Sequence, residues 1–131
     1  MENQMVHLLN WMMDYEIRSS LRYGHNFALV MMSTLDRQSV PKELLQGTLR
    51  GSDEFFDLAK NTALLMGETN REGALTAIER FCFFCSEDLD LRFSLASFPR
   101  DGKNSPDLLK KAQQRLAQAI HSNASPVVAG D

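Results

Sequence analysis

The apolar run from Phe27 to Met32 constrains the fold more than any other feature of this chain. Successive side chains of a strand point to opposite faces of its sheet, so a strand without polar residues must be covered on both sides. The run is also far shorter than the roughly 20 residues that a helix needs to span a bilayer. We therefore predict a central strand with other elements packed against both of its faces.

Helices are predicted on either side of this strand. Residues 2–22 place apolar side chains at three- and four-residue spacing, which indicates an amphipathic helix. Further helix starts are indicated by capping residues followed by proline or glutamate: Ser39 with Pro41 (a short helix ending near Gly47), Thr69 with Glu72, and Ser105 with Pro106. The last of these helices is predicted to run to about Ile120.

Three more strands complete the predicted sheet. Asp53–Leu58 and Thr62–Met66 flank a short polar turn and predict a β-hairpin, and Leu91–Phe98 alternates as a strand. The order helix, strand, helix, hairpin, helix, strand, helix favours an α/β (α+β) sandwich: one mostly antiparallel sheet flanked by helices. We divide the chain into an N-terminal helix (residues 1–22), a domain (residues 23–121) and a small-residue tail predicted to be disordered (residues 122–131).

Composition excludes several functions. The 131 residues suffice for one domain, and 44% of them are hydrophobic. Fourteen basic and seventeen acidic residues give a net charge of −3, which argues against binding to DNA or RNA. No signal-peptide or membrane-inserting pattern is present, so we expect a cytoplasmic protein. Cys82 and Cys85 are too few for a disulfide framework or a structural zinc site and are predicted to be buried thiols.

Five short motifs follow one another in an order and spacing known from one family. They are Arg50-Gly51-Ser52-Asp53, Ala63–Thr69, Ala77–Arg80, Ser94–Gly102 and Leu108–Ala112. Together they resemble, over most of residues 12–121, the GGDEF domain of diguanylate cyclases in degenerate form. The resemblance implies the palm fold of nucleotide cyclases and a place in bacterial second-messenger signalling by cyclic di-GMP.

The departures from the family pattern concern catalysis. Where the family has Gly-Gly-Asp-Glu-Phe, this chain has Leu58–Thr62 (LAKNT), without the glycines that admit a nucleotide and the acidic residues that hold magnesium. Ser33 falls on or near the family's first metal-binding aspartate, and Asp36 beside Lys60 does not build a two-metal site. The segment Arg37–Thr48 is shorter than the family's nucleotide-binding region. We therefore expect no catalytic residues, no metal, no cofactor and no cyclase activity.

The family's inhibitory product site is retained. There, an Arg-x-x-Asp pair and an arginine on the following helix bind cyclic di-GMP, and Arg50, Asp53 and Arg80 match these positions. An arginine fork fits the O6 and N7 edge of guanine or a phosphate, and a carboxylate accepts from the guanine N1–H and N2–H groups. Without this context, Arg50 and Asp53 would be read as an exposed ion pair.

The resemblance thus implies a non-catalytic cyclic di-GMP receptor that relays the level of the messenger to a protein partner or to fused domains. Such receptors occur in exopolysaccharide and biofilm systems, including the Pel system, and others control motility. The alternative is a ligand-free structural pseudo-enzyme whose first and last helices mediate protein association, including a homodimer. An active cyclase is the least favoured of the three hypotheses.

Overall fold

The computed structural model describes residues 2–45, 47, 49–84, 90–122 and 126–130. Its elements are α1 (Glu2–Tyr23), β1 (Phe27–Thr34), a short 3-10 helix (Lys42–Leu44), β2 (Asp53–Asp57), β3 (Thr62–Gly67), α2 (Arg71–Phe84), β4 (Leu91–Phe98), α3 (Ser105–His121) and β5 (Val127–Val128). No helix within these residues is long and apolar enough to cross a membrane.

The central strand is β1, as its apolar sequence predicts. The sheet has the order β2-β3-β1-β4-β5, and β1 pairs antiparallel with both β3 and β4. Phe27 to Met32 are all 0% exposed. β2 and β3 form the predicted antiparallel hairpin, and β5 pairs in parallel with β4. The mostly antiparallel sheet flanked by helices confirms the predicted fold class.

Alternate residues of β1 build two separate cores. Phe27, Leu29 and Met31 pack with Leu9 of α1 and Leu108 of α3 on one face. On the other face, Ala28, Val30 and Met32 pack with Ile78 and Phe81 of α2. Each position of β1 therefore directs its side chain towards one helical layer, and the same alternation along β2 and β3 positions the candidate site residues.

The helix caps differ from those predicted. Asn70 precedes α2, and its Oδ1 accepts from the Gly73 N–H at 2.8 Å. Asn104 precedes α3, and its Oδ1 accepts from the Asp107 N–H at 2.9 Å. The predictions of Thr69 and Ser105 as caps are therefore wrong. An N-cap needs an extended backbone, which Asn104 has, and asparagine offers the side-chain acceptor from that position.

The helix predicted at Ser39 is reduced to the single 3-10 turn. Pro41 precedes this turn in an extended conformation and makes no side-chain cap. The backbone N–H of Ser39 donates instead to the Ala59 carbonyl at 3.2 Å, so the segment lies extended against the hairpin turn. Thr48, at the end of the shortened segment, lies outside the described residues.

The tail predicted to be disordered contains β5. The Phe93 N–H donates to the Pro126 carbonyl at 2.8 Å, and the Arg71 guanidinium donates to the Gly130 carbonyl at 2.6 Å. The prediction is therefore wrong for residues 126–130. The edge of β4 has backbone groups with which these residues pair, and the composition of the tail does not indicate this pairing.

Cys82 corrects the prediction of buried thiols. It is exposed, because it lies one position beyond Phe81, the last buried residue of the α2 stripe that the structure describes. Cys85 lies outside the described residues.

Candidate functional site

Arg50, Asp53 and Arg80 line one cleft of about 350 Å³. One wall is the start of β2 together with the end of β3, and the other is a face of α2. The cleft is lined by the three predicted residues and by others from the same elements: Met66, Glu68, Thr69, Asn70, Gly73, Thr76 and Ala77. The sequence-predicted residues are therefore brought together, although 27 positions separate Asp53 from Arg80 along the chain.

Asp53 holds the guanidinium of Arg50 in place. Its Oδ1 accepts from Arg50 Nη2 at 3.0 Å and from Nε at 3.3 Å, while its Oδ2 accepts from the Arg50 backbone N–H at 2.8 Å. Arg50 Nη2 also donates to the Gly67 carbonyl at 3.2 Å and to the Thr69 hydroxyl. Three acceptor atoms, from Asp53, Gly67 and Thr69, thus fix the Arg50 side chain between the start of β2 and the end of β3.

This geometry changes the role of Asp53. Its side chain is 1% exposed and both oxygens accept from Arg50, so the carboxylate is not presented to a guanine as the sequence interpretation required. The Arg50 side chain is 48% exposed, and its Nη1 has no partner among the described residues. Arg50 is the group that faces the cleft, and Asp53 is a positioning residue.

The α2 wall is made of small residues that end at an arginine. Gly73, Ala77 and Arg80 follow one another at spacings of four and three residues, which places them on one helix face. No hydrogen bond or ion pair joins the exposed Arg80 guanidinium to any residue that the structure describes. A helix face of small side chains that ends at the Arg80 guanidinium suits a planar group that carries negative charge.

Glu68 brings the opposite charge to the cleft. Its side chain is 76% exposed, and its Oε1 lies 4.0 Å from Nε2 of His25. The backbone of Glu68 has a φ of 50°, in the left-handed region that non-glycine residues seldom adopt. This turn brings the chain from the end of β3 towards α2.

The hairpin turn lies at the other end of β2 and β3. The loop after β1 packs against it through the Ser39–Ala59 backbone bond and a 2.8 Å bond from the Val40 N–H to the Thr62 hydroxyl. Val40 and Leu58 are 1% and 4% exposed. Apolar side chains therefore lie beside this turn, and Ala59 holds a φ of 72°, in the left-handed region that favours glycine.

Ser33 and Asp36, which the sequence predicts not to build a metal site, form hydrogen bonds with their neighbour Thr34. The Ser33 side chain is buried and donates to the Thr34 carbonyl at 2.9 Å, while Asp36 accepts from the Thr34 hydroxyl. Within the described residues, no group of three or more histidine, cysteine, aspartate or glutamate side chains is placed to hold a metal ion.

Sequence reasoning missed Thr69, Gly73 and Ala77 as part of the site. Thr69 was assigned to a cap, yet its hydroxyl donates to the Gly67 carbonyl at 2.9 Å and accepts from Arg50. The signal that could have found the helix wall is the spacing of Gly73, Ala77 and Arg80 by four and three residues, since this spacing places Gly73 and Ala77 on the same helix face as the predicted Arg80.

Comparison with solved structures identifies the fold as that of GGDEF domains. The GGDEF domain of YfiN (TpbB) from Pseudomonas aeruginosa matches with a TM-score of 0.80 and 13% identity, covering 95% of this chain and 94% of that one. The FimX GGDEF domain from the same organism gives 0.72 and 14% identity over 95% and 91% of the two chains. A sensory box/GGDEF family protein from Caulobacter crescentus gives 0.62 and 13% identity over 78% and 83%.

No family model and no curated protein matches the sequence. The resemblance predicted from five short motifs is thus confirmed at the level of the fold. The chain has the GGDEF-domain fold, and the residues described above must carry any statement about its activity.

Proposed function

We propose that this domain is a non-catalytic receptor for cyclic di-GMP and that the ligand binds in the cleft between the β2–β3 hairpin and α2. The observation that carries the proposal is the placement of two guanidinium groups, Arg50 and Arg80, on the two walls of one cleft. Both are accessible to a ligand, and Arg80 has no partner among the described residues.

The chemistry of the cleft suits this ligand. Each guanidinium offers a planar fork that fits a phosphate or the O6 and N7 edge of guanine. Two cations balance the two phosphodiester charges, and Gly73 with Ala77 leaves room for a planar base against α2. Asp53 contributes by holding Arg50 in place before the ligand arrives, which lowers the ordering cost of binding.

The absence of cyclase activity is part of the proposal. It is supported by the apolar packing of Val40 and Leu58 beside the hairpin turn and by the lysine at position 60. A nucleoside triphosphate with bound magnesium would need carboxylates to hold the metal and an accessible backbone beside the hairpin turn. Incubation with GTP and Mg²⁺, followed by chromatography, should yield no cyclic di-GMP; its formation would contradict this part of the proposal.

Isothermal titration calorimetry with cyclic di-GMP tests the binding. We expect a dissociation constant in roughly the micromolar range for the wild-type protein. Arg80→Ala should weaken binding by about tenfold or more, because it removes charge-assisted hydrogen bonds without disturbing a folded contact. Arg50→Lys, which keeps the charge but loses the fork, should weaken it similarly. Arg100→Ala is the matched control, since Arg100 is exposed and does not line the cleft.

Two outcomes would contradict the proposal. The first is a folded wild-type protein that gives no heat with the ligand at about 1 mM. The second is an Arg80→Ala protein that binds as tightly as the wild type. Either result would favour the alternative, a ligand-free pseudo-enzyme that acts through protein association.

A further inference from the structure

A second cleft, of about 460 Å³, lies on the opposite face of the hairpin, between α1 and the β2–β3 ladder. The alternation along β2 separates the two clefts: Asp53 faces the first cleft and its neighbour Glu54 faces this one. Glu68 lines both. The function proposed above leaves this second cleft without a role.

One side of the second cleft is aromatic. Trp11 and Tyr15 lie one turn apart on α1 and are 64% and 58% exposed. Because they are neighbours on the helix surface, the two rings form one contiguous exposed patch, and contiguous apolar patches are typical of interaction sites. Their faces offer a place for a cation or a planar group to stack.

Three glutamates supply the negative charge of the lining. Glu16 on α1, Glu54 on β2 and Glu68 after β3 all contribute to the cleft. A Cβ added to Gly67 would lie 3.4 Å from Glu16 Oε1. Glycine at position 67 therefore leaves room for the Glu16 carboxylate to lie over the sheet. The hydrogen bonds of the described residues include none to the Glu16 carboxylate.

Burial is the largest influence on the Glu16 carboxylate, and the neighbouring charges act on it in both directions. Burial raises the pKa of Glu16, the nearby His25 opposes this, and the carboxylates of Glu68 and Glu54 raise it further. His25 is the one basic side chain among the residues that line the cleft, and it accepts or donates in contacts with Ser19 and Ser20. Aromatic faces beside carboxylates suit an organic cation, which can stack on the rings while it pairs with a carboxylate.

We propose that this cleft binds the arginine side chain of a partner polypeptide. The guanidinium stacks on Trp11 or Tyr15 and forms a bidentate pair with the carboxylate of Glu16. Arginine fits better than lysine because its planar guanidinium both stacks on aromatic faces and pairs with a carboxylate through two hydrogen bonds. The complementary charge of the three glutamates would also speed the encounter with a basic partner. The proposal does not rest on nucleotide binding in the first cleft.

The fluorescence of Trp11 reports on this cleft directly, because it is the only tryptophan of the chain. We would titrate the whole protein at low ionic strength with the capped tripeptide Gly-Arg-Gly, and in parallel with the Gly-Lys-Gly and Gly-citrulline-Gly peptides and with spermidine. We expect a saturable change with the arginine peptide, weaker binding of the lysine peptide, and no saturable change with citrulline, which has the shape of arginine without its charge.

Variants separate this cleft from general electrostatic attraction. Glu16→Gln should weaken binding of the arginine peptide by about fivefold, because it removes one charge of a close pair. Glu43→Gln is the matched control on the exposed 3-10 helix and should leave binding unchanged. Circular dichroism of each variant confirms that it is folded.

The proposal is overturned by any of four results with folded protein. These are no saturable change with the arginine peptide, equal binding of the citrulline peptide, tighter binding of spermidine than of the arginine peptide, or equal loss of affinity in Glu16→Gln and Glu43→Gln.

Discussion

Glu68 lies between the two clefts, and its charge acts in opposite ways on the two proposed ligands. In the cleft beside α2, its negative charge would repel the phosphates of the proposed nucleotide, whereas in the cleft beside α1 it would attract the proposed guanidinium. Its side chain is 76% exposed, so both effects are screened by water.

Glu68→Gln should therefore tighten cyclic di-GMP binding by about threefold and weaken arginine-peptide binding by about the same factor. Calorimetry for the first ligand and Trp11 fluorescence for the second measure the two affinities on one protein preparation. Shifts of the same sign for both ligands would contradict the placement of Glu68 between the two sites.

Asp101 forms a mostly buried pair with Arg115 at the turn between β4 and α3. The two side chains are 8% and 12% exposed, and Asp101 Oδ1 accepts from Arg115 Nη2 at 3.0 Å. Its Oδ2 accepts from the Ser97 N–H at 2.9 Å. Burial raises the pKa of Asp101, but the bonds from Arg115 and Ser97 outweigh it, so the pKa lies below its usual value.

Because the pKa is lower in the folded protein, Asp101 stabilises the fold above its ordinary pKa, and this contribution is lost as the pH falls through the folded value. Asp101→Asn should lower the free energy of unfolding by about 2–4 kcal/mol at pH 7, and by less below about pH 4. Urea unfolding at pH 7 and pH 3 measures this. A deficit that stays the same at both pH values would contradict the account, and Asp14→Asn, at an exposed position of α1, is the control.

At the scale of elements, the first turn of α3 depends on Asn104. Asn104→Ala should lower the free energy of unfolding by about 1 kcal/mol, because the Asp107 N–H loses its acceptor. Ser105→Ala is the informative comparison, since the sequence pattern favoured Ser105 as the cap. Thermal unfolding should show a smaller loss for Ser105→Ala, and a larger loss would contradict the capping geometry.

The edge strand β5 makes a separate contribution to stability. Deletion of residues 126–131 removes the bonds from Phe93 to Pro126 and from Arg71 to Gly130 and uncovers part of the β4 edge. We expect a loss of about 1–3 kcal/mol in chemical unfolding, with the helical circular dichroism signal retained. Unchanged stability would mean that this strand does not pair in solution.

The elements differ in how far their sequences determine them. β1 and the hairpin could be predicted because uninterrupted apolar runs and a polar turn leave few other ways to bury side chains. The caps could not, since Thr69 and Asn70 both suit an N-cap and the choice depends on Arg50, which takes the Thr69 hydroxyl as an acceptor. β5 could not be predicted either, because a strand of two residues is defined by its pairing with β4 rather than by its own sequence.

At the scale of the whole molecule, one hairpin contributes to both proposed binding surfaces. The start of β2 and the end of β3 present alternate residues to α2 on one face and to α1 on the other. The order of motifs predicted that Arg50, Asp53 and Arg80 would meet. It could not reveal that Asp53 is fully used by Arg50, because that depends on side-chain geometry within the fold.

The measurement that tests the central claim most directly is an NMR titration of backbone amides with cyclic di-GMP. We expect saturable shifts confined to the walls of the cleft, at residues 50–53 and 67–80, with the amides of the hairpin turn at 58–62 unchanged. A folded protein whose amides do not respond, or one that responds at the hairpin turn instead, would contradict it.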